Sequence, residues 1–148
     1  SDCDKDMVTR LNDCSSLLWR LELNGIDVED RWDRLVDLWA DHINDHAFAL
    51  ADTHIAMTMV SAGGEKKLGR FLESQHAYIE GETNTNGQIM EQVGRALCEG
   101  IIAFRRGDHS LAAEKIGDVQ KQIYRVGGSN AQRDIFRITL ETAQAKSG

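Results

Sequence analysis

The stretch IMEQVGRALCEGIIAFRRGDHSLAAEKIGDVQKQI, residues 89–123, decides the fold. Ile89, Val93, Leu97, Gly100, Ile101 and Phe104 fall into one register, and Ala112, Ile116, Val119 and Ile123 take up a second. Steps of three and four residues place each set on one side of a helix. Between them stands Arg105-Arg106-Gly107-Asp108. The arginines suit the negative end of the first helix, and Asp108 caps the second. Helices joined by so short a turn pack antiparallel.

The same period runs outward in both directions. A first helix over residues 5–23 carries Met7, Leu11, Cys14, Leu18 and Leu21 on one face, and Asn24-Gly25 stops it. A second opens near Asp27, with Trp32, Leu35, Val36, Trp39 and Ile43 as its buried stripe. A single helix over residues 27–62 would far exceed the usual length of about 11–12 residues, so a corner is expected at residues 43–45. The third helix, residues 46–62, is apolar on most sides, which predicts a central position. Gly63-Gly64 ends it, and a fourth carries Leu68, Phe71, Leu72, Gln75, Tyr78 and Ile79. Residues 81–87 read as a flexible loop between sub-units 1–80 and 88–148 of one domain. Beyond residue 123, Gly127-Gly128 stops the sixth helix and Ser129 or Asn130 caps the seventh. No segment alternates with period two long enough to read as a strand.

Composition agrees with an all-α chain. The 148 residues include no proline, where average usage of about 5% would give roughly seven. Few breaks are therefore forced, and glycine must make the turns. A net charge of −7 repels nucleic acid and anionic lipid. No stretch approaches about 18 apolar residues and no charged-then-apolar leader opens the chain, so neither membrane spanning nor secretion is expected. Cys3, Cys14 and Cys98 are odd in number and form no Cys-x-x-Cys pair, which argues against disulfides or a zinc finger and for the cytoplasm.

The hairpin of residues 89–123 also fits a tetratricopeptide pattern. Gly100 stands twelve residues before Ala112, where two helices of such a repeat approach closely, and Ile116 and Val119 fill the interface. Ala103 stands where an aromatic is expected, and no proline closes the unit. A broader resemblance rests on Ser16-Leu17-Leu18-Trp19-Arg20-Leu21 with Gly25 and Val28, then Arg31-Trp32, His42, Asp45-His46, Asp52 and His54. Gly127-Gly128-Ser129-Asn130-Ala131-Gln132-Arg133-Asp134 and Phe136 extend it. Over residues 13–143 the chain resembles the C-terminal part of the tetratricopeptide repeat protein 38 family. The resemblance implies an α-helical repeat fold, an interaction role, and correspondence to about the last third of a longer protein. The fold expected is therefore a tetratricopeptide-like right-handed array of about seven helices in antiparallel hairpins. Its first helix would expose a face that preceding repeats normally cover.

Three groups of residues carry chemistry. His42, Asp45 and His46 come first: histidines four apart can share one metal on a continuous helix. The order His-x-x-Asp-His resembles an inverted zincin motif with aspartate in place of the basic glutamate. A corner at Asn44 would separate the rings, leaving Asp45 to cap the third helix. Asp52 and His54 form the second group, polar within the most apolar helix, and a buried carboxylate must be paired. They suit a polar seam between helices or one wall of a ligand groove. The third is the glycine turn with Asn130, Gln132, Arg133 and Asp134 on the first turn of a helix, where a partner could dock. It has no lysine of a phosphate loop. The tryptophans read as core, and no Ser-His-Asp or Cys-His arrangement is legible. These readings favour a non-enzymatic module for a protein or peptide partner, with no cofactor, no resident metal, no nucleic acid and no membrane. A homodimer through exposed terminal helices is a further expectation. The alternative is a metal-binding or enzymatic domain built on His42, Asp45, His46, Asp52 and His54.

Overall fold

A computed structural model describes residues 2–148, and among these the chain forms six continuous helical runs and no strand. α1 is Asp2–Leu23. α2 is Arg31–Trp39, continued by a 3-10 turn Ala40–His42. α3 joins Ala49–Thr58, a π-helical Met59–Gly63 and Gly64–Gly81. α4 joins Thr85–Ile89, a π-helical Met90–Gly94 and Arg95–Arg105. α5 is His109–Val119 with a 3-10 extension Gln120–Val126, and α6 is Asn130–Ser147.

The count is six where the sequence suggests about seven. The expected third and fourth helices form one run, because Gly63 passes into Gly64 without a loop and the bend falls on Gly64 itself, at φ 76° and ψ 166°. Both π stretches begin on methionine and end on glycine. A Cβ on Gly63 would lie 2.8 Å from Met59 Sδ, and one on Gly94 would lie 3.0 Å from Met90 Sδ. In each case the missing side chain leaves room for the sulfur of the preceding turn.

Other boundaries move for local reasons. α2 starts at Arg31 rather than Asp27, whose carboxylate instead accepts from the Glu29 N–H at 2.8 Å across a turn. α3 starts at Ala49 rather than His46, so Asp45 does not cap it. The connection read as residues 81–87 is only 82–84, since Asn84 caps α4 by accepting from the Gly87 N–H. The glycine stop of α1 and the turn at Gly107-Asp108 stand where expected. Gly107 N–H donates to Phe104 O and Asp108 N–H to Ala103 O, satisfying the last carbonyls of α4.

The first half of α3 is the centre. All ten residues of Ala49–Thr58 are buried, and α1, α2 and α4 pack around them. The α4–α5 hairpin closes on Gly100, where a Cβ would meet Ile116 Cγ1 at 2.6 Å and the Ala112 carbonyl at 3.4 Å. Trp19, Trp32 and Trp39 are all core, and Cys98 is buried. Cys14, expected within an apolar face, is exposed instead. The buried face of α1 is Leu11, Asn12, Ser15, Leu18 and Trp19, and Met7 points outward.

α1 also touches the far end of the chain. Trp19 Nε1–H donates to Thr139 Oγ1 on α6 at 3.0 Å, and its ring lies 5.8 Å from Phe104 at the end of α4. Arg105 pairs with Glu22 at 2.7 Å beside them. First and last helices therefore share one core, so the face of α1 that meets α6 is covered.

Candidate functional site

The sequence-predicted residues separate into distinct places. His42 and Asp45 form an exposed pair, Nδ1 to Oδ2 2.8 Å, at the end of α2. The helix stops at His42, and His46 lies in the connection with a left-handed φ of 46°. The helical i, i+4 geometry that would let the two rings share a metal is therefore not formed. Among the described residues no group of three or more His, Cys, Asp and Glu converges as a metal site.

His46 turns inward instead. Its Nδ1 lies 2.7 Å from Asp52 Oδ2 and its Nε2 lies 2.7 Å from Ser74 Oγ. Gln75 Nε2–H donates to the same Asp52 oxygen at 3.2 Å. Asn86 Nδ2–H donates to the His46 carbonyl and to Tyr78 Oη, tying the start of α4 to the second half of α3. Burial raises the pKa of Asp52 above the ordinary carboxylate value, and the bond and charge of His46 act against it. Burial likewise pushes the nearby Cys98 thiol upward, so it stays protonated and inert. The seam expected for Asp52 is thus formed, with His46 as its partner.

Ser74, His46 and Asp52 follow the hydrogen-bond order of a nucleophile, base and orienting acid. Ser74 nevertheless sits inside α3, where the helix occupies the backbone N–H groups that an oxyanion would need. The cavity touching His46 and Asp52 holds about 20 Å³, room for one water. The sequence does not mark this constellation, because Ser74 has no local signature.

His54 belongs elsewhere. It lines a cleft of about 450 Å³ with Asn12, Asp13 and Arg20 of α1 and Ala131, Gln132 and Asp134 of α6. Two features singled out far apart in sequence, His54 and the glycine turn, meet here. The turn makes this possible: Gly128 has φ 79°, and a Cβ there would lie 2.6 Å from Leu50 Cδ2. Only glycine lets the chain lie this close to α3. Ser129 and Gln132 then form a reciprocal capping box that starts α6 at the cleft. His54 Nδ1–H donates to the Leu50 carbonyl at 2.7 Å, and burial holds its pKa down to about 4. The ring is therefore neutral near pH 7, with its lone pair on Nε2.

Asn130, Arg133 and Asp134 also border a shallower recess beside Tyr124 and Arg137. Arg133 is engaged within the turn, donating to the Gly127 and Gly128 carbonyls and to Asn130 Oδ1. Arg137 bonds Asp134 at 2.7 and 3.0 Å and draws its pKa down.

A further hollow contains none of the sequence-predicted residues. It is a groove of about 540 Å³ between the second half of α3 and the α4–α5 hairpin. Leu72, Ile102, Ala103 and Leu111 give it apolar walls, while Arg95, Glu99 and Lys115 lie among its charged lining. Its one signal in the sequence is an apolar Leu111 beside the capping Asp108, outside the buried stripe of α5. No family model matches the chain, and no solved structure matches it.

Proposed function

We propose that the chain is a non-enzymatic protein-interaction module of the tetratricopeptide repeat protein 38 type, acting in the cytoplasm. The observation that carries this is the 540 Å³ groove. Clefts of this size with apolar walls and a few charges suit a short amphipathic segment. The tetratricopeptide-like part of the reading rests on the α4–α5 hairpin, with Gly100 pressed on Ile116. Glu65 holds Arg106 and Glu99 holds Lys115. Among the described residues no carboxylate pairs with Arg95, so the expected partner is an apolar peptide carrying one acidic residue. The net charge of −7 favours a protein partner over nucleic acid.

The test is selection of displayed peptides on the wild-type chain, followed by affinity measurement against Leu111→Glu. Leu111 is partly exposed, so the variant keeps the fold. Selected peptides should weaken about tenfold or more on the variant. Equal binding to both proteins overturns the groove as the docking site.

One observation favours an enzymatic second reading: the Ser74–His46–Asp52 hydrogen-bond order. Its test is a fluorophosphonate probe. Covalent labelling that disappears in Ser74→Ala would displace the module reading, and an unlabelled chain would retire the enzymatic one.

A further inference from the structure

The His54 cleft gathers polar groups that the fold leaves unbonded. Asn12 is only 3% exposed, lines the cleft, and has no hydrogen-bond partner for Oδ1. His54 spends Nδ1–H on Leu50, which leaves Nε2 as an acceptor. Asp13 stands exposed on the rim, close enough for its charge to act on His54. These are three acceptors.

Two donors share the lining. Arg20 gives Nη2 to the Ala131 carbonyl and Nε to Ser16, leaving Nη1. Gln132 uses its Oε1 on the Ser129 N–H, leaving the Nε2 amide hydrogens. The start of α6 adds the positive end of an 18-residue helix. Both signs of charge thus line one cleft, Asp13 and Asp134 with Arg20. A simple anion would meet Asp13 and Asp134, and a simple cation would meet Arg20 and the helix start.

We propose that this cleft binds a free α-amino acid as its zwitterion, the ammonium on Asn12 Oδ1, His54 Nε2 and Asp13, and the carboxylate on Arg20 and Gln132. An ammonium has three hydrogens for three acceptors, and a carboxylate accepts from both donors. A volume of about 450 Å³ leaves space for a side chain. Leu17, 55% exposed in the same lining, makes an apolar side chain the better fit.

The experiment is calorimetric titration of the full chain with the twenty L-amino acids, then with the amide and the N-acetyl derivative of the tightest. One-to-one binding of an apolar amino acid is expected, with each derivative about tenfold weaker or worse. Two variants separate binding from folding. Asp13→Asn changes an exposed residue. Gln132→Glu keeps the capping-box oxygen but removes the amide donor. Both should bind about tenfold more weakly at an unchanged melting temperature. No binding by any amino acid overturns the proposal, as does wild-type affinity in both variants or in both derivatives.

Discussion

Trp19 and Thr139 are joined by a hydrogen bond of 3.0 Å between the first helix and the last. Both are buried, and the Thr139 hydroxyl donates its own hydrogen bond to the Ile135 carbonyl at 2.7 Å. The contact therefore couples the two ends of the chain through a satisfied pair.

Trp19→Phe removes the donor and some ring volume, and Thr139→Val removes the acceptor while keeping shape. Thr139→Val should cost about 1–2 kcal/mol in urea unfolding, and Trp19→Phe somewhat more. The two losses should not add, since one bond disappears in both. Additive losses would show that the bond contributes nothing.

Gly100→Ala places a methyl 2.6 Å from Ile116 Cγ1 in a fully buried contact. Overpacking of this kind costs about 1–3 kcal/mol. Ile116→Ala removes both Cγ1 and Cδ1, so in the same chain the two losses should fall short of their sum. A stability unchanged by Gly100→Ala would mean that the helices move apart freely.

His42 and His46 are alike in the sequence and unlike in the fold. His42→Ala removes one partner of an exposed pair and should change stability by less than about 1 kcal/mol. His46→Ala strips buried Asp52 of its main partner and should cost about 3–5 kcal/mol. Thermal and urea unfolding of the two variants compare them directly, and similar losses would contradict the buried pairing.

His54 makes stability depend on pH. Its folded pKa of about 4 lies below the ordinary 6.5, so below pH 6.5 the unfolded chain takes up a proton that the folded chain refuses. The stability it confers is complete above pH 6.5 and falls as pH drops to about 4, by roughly 3 kcal/mol. Asp52 works in the opposite sense, because its raised pKa lets the folded chain bind a proton first. His54→Leu should flatten the wild-type loss between pH 6.5 and 4, and an unchanged slope would exclude His54 as its source.

Helix stops and caps were legible because their chemistry is local. Gly25, Gly107, Asp108 and Ser129 act on neighbours within a turn. The centrality of residues 49–58 was legible because an all-apolar helix has nowhere else to go. The buried face of α1 departs from its apolar register because α6 and α3 select it. Ser15 is buried, bonded to Trp39 and near Thr58, while Cys14 beside it stays in solvent. No periodicity within α1 records those distant partners. The same reason split the candidate site. His54 and Gln132 were each recognisable as polar groups in unusual settings, but their meeting depends on Gly128 lying against Leu50. The groove escaped because its walls are ordinary apolar residues of three elements, each unremarkable in its own helix.

The π stretch Met90–Gly94 runs directly into Arg95–Arg105 with helical dihedrals at both junctions. It works as a phase setting for everything after it. Winding the same residues as a uniform α-helix would instead rotate the following segment by about 100°. Gly100 would swing away from Ile116, and a bulkier neighbour would take its place against α5. The distance between two helices is thus fixed by a surplus residue about two turns upstream of the contact it serves.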